Sequence, residues 1–184
     1  MKLLDCSPIT DGAAAIILSK NSKQKTVNKK RVSIIASSVA TDTLGLAERE
    51  DLTTLKATVE AGKKAYRIAG LTPKDIDVAE VHDCFTIAEI LAMEDLGFFP
   101  KGKAGEAISK GETRLGAKLV VNTSGGLKAS GHPVGATGVK QIVEIYKQLT
   151  GTAGRKQVKG AHFGMTHNVG GSGATAVVHI LKII

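Results

Sequence analysis

Apolar and polar positions along the chain fall into alternating short runs and helical stripes. Near the start, Ala13-Ala14-Ala15-Ile16-Ile17-Leu18 follows the turn Asp11-Gly12 with no polar face. A continuous apolar run of this kind needs sheet or helix on both sides. A polar break spans 21–30, and residues 31–39 then read as a strand. Leu52, Leu55, Val59 and Tyr66 lie along one helical stripe that stops at Gly70. Thr72-Pro73 sets a cap before a proline at the first helical position and opens a short turn. Residues 78–81 form a strand that delivers His82-Asp83-Cys84-Phe85 at its C-terminal end. Phe85, Ala88, Leu91, Ala92 and Leu96 continue as a helix closed by Gly97. A strand at 119–122 enters a Gly-rich loop, and Val139, Ile142, Val143, Tyr146 and Leu149 give helical spacing beyond it. Residues 160–166 and 175–181, on either side of the Gly-rich turn 167–173, read as a hairpin or two neighbouring strands. Strands alternating with helices predict an α/β layer structure, and no internal repeat is present.

The loop at 122–138 carries the strongest chemical signal. It holds five glycines in seventeen residues, with His132 pinned between Gly131 and Pro133. Glycines let the backbone approach a ligand and adopt positive φ without a Cβ clash. An apolar strand on one side and an amphipathic helix on the other hold the loop at both ends, which builds a rigid site around one imidazole.

The bulk numbers narrow the function classes. A length of 184 residues suits one domain with an appended piece, and 42% apolar residues make it globular. No apolar run of about 18 residues exists, so no membrane span is expected. Asp5 and Pro8 come too early for a signal peptide. Two cysteines, Cys6 and Cys84, are no disulfide framework and read as reduced thiols of a cytoplasmic protein. Net charge is +8, with Lys20, Lys23, Lys25, Lys29, Lys30 and Arg31 clustered. Nucleic acid is one partner for such a cluster, but aromatics are only 3% and Trp is absent, so bases find little to stack on. A solvated loop is the simpler reading, and a basic surface suits a phosphorylated ligand. Five His, two Cys and Asp83 raise a metal site, yet no C-x-x-C or H-x-x-x-H pair occurs, and His82 with Cys84 is no closed zinc site.

The pattern Asn122, Gly125, Gly126, Gly131, His132, Pro133, Gly135 and Gly138 resembles the signature of thiolases, which make or cleave a C–C bond between acyl groups carried on coenzyme A. The resemblance extends over nearly the whole chain but matches only the second half of such an enzyme. Residues 6–15 are similar to the segment that closes the family's first half. The implied division is 1–30 as the last strand and linker of the N-terminal half, and 31–184 as the C-terminal domain. The implied fold is one βαβαβαββ unit, a mixed sheet layered between helices, with residues 1 to about 20 belonging to the partner sheet.

The resemblance also implies roles. His132 helps activate a nucleophilic Cys and donates into an oxyanion hole. Most thiolases have Asn-Glu-Ala-Phe where this chain has His82-Asp83-Cys84-Phe85, and a Cys in the last Gly-rich turn where it has His167-Asn168. Both changes together are the pattern of sterol-carrier-protein-x and similar archaeal thiolases, in which the acid–base thiol sits in His-Asp-Cys-Phe. Cys84 therefore takes proton transfer, its pKa lowered if His132, His82 or His167 lies close; the plain alternative is a small buried Cys at a strand end. His82 stands in for an Asn of the oxyanion hole. Asp83 either orients a His or caps the helix that begins at Phe85. Backbone amides of His167, Asn168, Gly170 and Gly171 complete a second oxyanion hole. Ser7 matches a Ser that contacts the pantetheine arm, Gly131 and Pro133 frame the substrate side of His132, and Cys6, His162 and His179 read as structural. Coenzyme A thioesters are substrates, and no cofactor or metal is expected. The family's nucleophilic Cys has no counterpart here, so no acyl-enzyme forms without another half. Expected partners are acyl-CoA, a first half on a separate chain, other subunits of a homo- or hetero-oligomer and, by analogy, hydroxymethylglutaryl-CoA synthase with its zinc scaffold protein. The rival reading is a non-catalytic thiolase-fold module that binds acyl-CoA or a partner protein.

Overall fold

The computed structural model describes residues 1–20 and 30–184. Lys23, Lys25 and Lys29 of the basic cluster, and most of the polar break, lie outside the described residues. The strands are β1 Val32–Thr41, β2 Val78–Glu80, β3 Val120–Val121, β4 Phe163–Gly170 and β5 Thr175–Ile183. The helices are α1 Lys56–Ala69, α2 Thr86–Asp95, α3 Ala104–Ser109, α4 Gly126–Ser130 and α5 Thr137–Thr150. The described strands form one mixed sheet in the order β1-β5-β4-β2-β3. β1 and β4 run antiparallel to β5, while β2 is parallel to both β3 and β4. This is the expected βαβαβαββ unit, with the short α3 and α4 inserted before and after β3.

Alternation along the strands divides the core into two layers. Ala36, Ala79, Met165, Ala176, Val178 and Ile180 pack against α1 with Ala57, Ala61, Ala65 and Tyr66. The alanines keep the helix low on the sheet, close enough for Ser38 Oγ to donate to Ala61 O at 2.7 Å. On the opposite face Val78 and Leu181 meet Ile145 and Leu149 of α5. Helix α1 starts after Leu55, so Leu52 and Leu55 precede it, and Gly70 ends it at φ 67°. Thr72 forms a reciprocal capping box with Asp75.

Two expectations are corrected. The apolar run at 13–18 has no regular structure and is exposed or half-exposed throughout, with Ile17 96% and Leu18 70% exposed, so none of the described residues covers it. Strand β4 also runs through His167 to Gly170, so the turn is only 171–174 and β4–β5 is a true hairpin.

Candidate active site

Because β2, β3 and β4 are parallel neighbours, their C-terminal ends open onto one edge of the sheet, where α/β folds place their ligands. β2 delivers His82 and Cys84, β3 delivers the loop with His132, and the end of β4 delivers Asn168. A cavity of about 820 Å³ lies there, lined by these four residues with Ser7, Gly170, Gly171, the apolar Val139, Ile142 and Val177, and His179. A larger cavity of about 1080 Å³ lies at the other ends of β2 and β3, among Phe98, Phe99, Leu115 and Lys118. It contains no imidazole or thiol, so the chemistry belongs to the smaller one.

The N-terminal segment is stitched into this edge. Ser7 N donates to Cys84 O at 2.9 Å, and His132 N donates to Pro8 O at 3.1 Å. Cys6 bridges Phe85 in antiparallel fashion, and Lys128 Nζ donates to Cys6 O. Gly131 (φ 77°) lies so close to Thr10 that a Cβ would sit 2.2 Å from its hydroxyl. Only glycine fits between Thr10 and the histidine.

The two histidines of the cavity are held differently. His132 Nδ1 lies 2.8 Å from Thr137 Oγ1, and that hydroxyl lies 3.2 Å from Pro133 O. A hydroxyl has one proton, and the carbonyl can only accept it, so the Thr137 oxygen accepts from Nδ1–H. This assigns the tautomer and leaves His132 Nε2 with a free lone pair. His82 is 4% exposed, and its Nδ1 is buried without a partner. An orphaned lone pair costs less than an orphaned N–H, so the His82 proton belongs on Nε2. The rings meet edge to face, centroids 4.9 Å apart at 84°. Burial, and then the neighbouring His132 ring, push His82 down to about 4 against the pull of the Asn168 side chain. His82 is thus a neutral donor beside an acceptor.

Cys84 is half-buried, and burial together with the Asp83 carboxylate pushes its thiol above its ordinary value. The expected lowering by nearby imidazoles is not found, because His82 itself is kept neutral. Asp83 does not cap α2, whose N-cap residue Phe85 offers no side-chain bond. It caps α4 instead, accepting from Leu127 N at 2.7 Å and Lys128 N at 3.4 Å.

The structure separates His167 from the rest. Adjacent strand residues face opposite ways, so Asn168 lines the cavity while His167 lies fully buried on the α1 side. There its Nε2 sits 2.9 Å from Thr58 Oγ1. Burial holds its pKa near 3. Gly131 and Pro133 flank His132, and Cys6 packs beside the site. His162 is exposed, while His179, read from sequence as structural, forms part of the cavity wall. Gln141 of α5 also lines the cavity, donating to His167 O at 3.0 Å. Glu89, on α2, was missed as well; burial and the charges of Asp83 and Glu80 raise it to about 7, with the Asn122 amide opposing. Helical periodicity gives no sign of either residue, because both act through elements distant in sequence. Among the described residues no three His, Cys, Asp or Glu side chains converge as metal ligands, and no helix is long and apolar enough to cross a membrane.

Residues 38–183 match the family model described as thiolase C-terminal domain-like. The chain is 53% identical over 182 residues to acetyl-CoA acetyltransferase of Methanothermobacter thermautotrophicus, covering 99% of this chain and 48% of that protein. It is 41% identical over 182 residues to human (Homo sapiens) sterol carrier protein 2, covering 96% of this chain and 33% of the relative. The chain therefore spans about half the length, or less, of these curated relatives. Among solved structures, the Ltp2-ChsH2(DUF35) aldolase superposes with a TM-score of 0.72 at 25% identity, over 82% of this chain and 39% of that one.

Proposed function

The chain belongs to the thiolase family through its C-terminal domain, and from that premise we propose that it forms the acid–base half of an acyl-CoA acyltransferase. The reaction is the Claisen condensation of two acyl-CoA molecules, or its reverse, thiolytic cleavage of a 3-oxoacyl-CoA. The observation that carries this reading is one cavity holding an acceptor imidazole (His132), a donor imidazole (His82) and a thiol (Cys84).

The nucleophilic cysteine comes from a thiolase first half. His132 Nε2 takes its proton, the thiolate attacks the acyl carbonyl, and coenzyme A leaves as its thiol with that proton, which frees His132 again. In the second step Cys84, having passed its proton to the freed His132 Nε2, removes the α-proton of the next acyl-CoA. Burial and Asp83 make that thiolate a strong base, which suits a weakly acidic C–H. His82 Nε2–H donates to the enolate oxygen, and Asn168 steadies its ring. The α-carbon attacks the acyl-enzyme thioester, and the cysteine departs as thiolate and regains its proton from His132. Amides at Gly170 and Gly171 complete the second oxyanion site, and Ser7 meets the pantetheine arm. The substrates are coenzyme A thioesters, with no resident cofactor. The setting is a cytoplasmic oligomer with the first half, and hydroxymethylglutaryl-CoA synthase with its zinc scaffold protein as the wider assembly. The exposed apolar run at 13–18 supports such association.

The test is purification of this chain with whatever it binds in its own cell, followed by an acetoacetyl-CoA cleavage assay on the complex. A stoichiometric thiolase first half with cleavage activity is expected. A complex that binds acyl-CoA yet neither cleaves nor condenses it would reduce the chain to a binding module.

A further inference from the structure

Lys128, in the short helix α4, is half-buried, and its Nζ donates to Cys6 O, far away in the chain. Among the described residues it forms no ion pair with a carboxylate. An ammonium withdrawn from water needs an acceptor. Here that acceptor is a backbone carbonyl, so the charge of Lys128 holds the course of the chain at Cys6. A hydrogen bond from a charged donor is stronger than one between neutral groups.

The segment held in this way, residues 6–8, runs between the two elements that carry the site. On one side Cys6 bridges Phe85, and Ser7 N donates to Cys84 O at 2.9 Å. On the other side Pro8 O accepts from His132 N at 3.1 Å. Ser7 and Cys84 are opposite residues of the antiparallel bridge, and both line the cavity. Three successive residues thus act as a strap from Cys84 to His132. The strap has few other side-chain ties. Thr86 Oγ1 lies 3.4 Å from Asp5 Oδ1, a long contact, and Cys6 Sγ reaches only the nearby Lys2 O. The backbone of Lys128 belongs to α4, whose first turn is held by Asp83, the residue before Cys84. Lys128 therefore joins the strap to the same end of β2 that the strap itself contacts. The result is a closed ring through Cys84, Ser7, Cys6, Lys128 and Asp83.

We propose that Lys128 is a positioning residue: its ammonium pins Cys6 O and so fixes the strap that sets Cys84 and His132 at one separation. It touches neither substrate nor reacting atoms. Its catalytic consequence rests on the proposed acyl transfer, in which Cys84 hands its proton to His132 Nε2. That hand-over needs both groups within reach of one another. The pinning itself is independent of the reaction, so the two readings fail separately.

The experiment is amide hydrogen exchange of the full chain, followed by NMR. Lys128→Met keeps most of the apolar stem and removes the ammonium. It should speed exchange at Ser7 and His132 by at least about tenfold, while Met165 and Val178 in the β4–β5 ladder keep their protection. Lys128→Arg keeps a charged donor and should restore most of that protection. In the complex with a thiolase first half, Lys128→Met should slow condensation more than acylation of the partner's cysteine. Unchanged exchange at Ser7 and His132, or acceleration spread evenly through the ladder, overturns the proposal. So does an arginine variant that behaves like the methionine one, or an active complex in which both steps slow equally. A complex inactive in every form counts against acyl transfer, and exchange then decides the pinning. If Lys128→Met does not fold, the wild-type spectrum decides: a scalar coupling across the hydrogen bond from Lys128 Nζ to the Cys6 carbonyl supports it, and a freely rotating ammonium without that coupling overturns it.

Discussion

Replacing Gly126 by alanine tests the link between Asp83 and the loop that presents His132. Gly126 opens α4 at φ 64°, and a Cβ there would sit 2.1 Å from Asp83 Oδ2 and 2.6 Å from its Cγ. A left-handed conformation costs an alanine about 1–2 kcal/mol. The clash drives Asp83 off the α4 amides, and losing a hydrogen bond to a charged group costs about 1.5–3 kcal/mol. The longer contact, at 3.4 Å to Lys128 N, adds little. The sum is about 3–5 kcal/mol, a drop in melting temperature on the order of 10 °C for a chain of this size. Urea unfolding followed by circular dichroism reads it. Gly135→Ala is the control: nothing lies within 4 Å of its position and its φ is ordinary, so it stays within about 0.5 kcal/mol. In the Asp83→Ala background the penalty of Gly126→Ala shrinks to its backbone part, giving a coupling of about 1.5–3 kcal/mol. A loss below about 1 kcal/mol, or strict additivity of the two changes, would refute the assignment of Asp83 as the α4 cap.

Stability against pH has two limbs of opposite sign. His82 and His167 are held at about 4 and about 3, below their ordinary 6.5, so their contribution is full above about pH 6.5 and is lost as pH falls, by about 1.4 kcal/mol per pH unit each. Glu89 is raised from 4.5 to about 7, so stability falls as pH rises between those values, by at most about 3 kcal/mol, and Glu89→Gln recovers that loss at pH 8 but not at about pH 4.5. Two histidines outweigh one glutamate below neutrality, so denaturant midpoints should rise from pH 5 to about pH 7 and level off above it; a profile flat from pH 5 to 7 would contradict the histidine limb. In the reconstituted enzyme, Cys84→Ala should abolish α-proton exchange and condensation while acylation of the partner's cysteine persists; equal loss of both steps would remove Cys84 from its role. His132→Ala should slow both half-reactions by about 10²–10⁴-fold, the usual worth of a general acid–base group, as followed by rapid-quench acylation and by condensation rate. Near-normal rates would sink the site.

Much of the fold was legible because its signals are local. Gly70 and Gly97 end helices where the periodicity stops, and the Thr72-Pro73 cap forms as its side chains require. The site was legible where a motif concentrates it, as around His132 and His82–Cys84. What escaped depends on distance along the chain. Asp83 reads as the cap of the helix that follows it, yet it caps α4, more than forty residues on, because the parallel pairing of β2 with β3 brings those ends together. Glu89 and Gln141 show no local signal, since their partners Asn122 and His167 O lie on other elements.

His167 shows how a single register decides chemistry. In sequence, 167–173 has the glycines of a turn, and a turn aims successive backbone amides one way regardless of side-chain parity. The pairing of His167 with Val178 and of Gly170 with Thr175 keeps the segment in the sheet, and a strand enforces parity. Asn168 is thereby committed to the cavity and His167 to Thr58 on the opposite face. A one-residue slip of β4 would exchange them and place a donor–acceptor imidazole where an amide now stands. The slip is blocked because Met165, on the same face as His167, is fully buried against α1 while Gly164 lies beneath Ile145 of α5. The packing of two residues unrelated to catalysis thus determines which polar side chain the site receives.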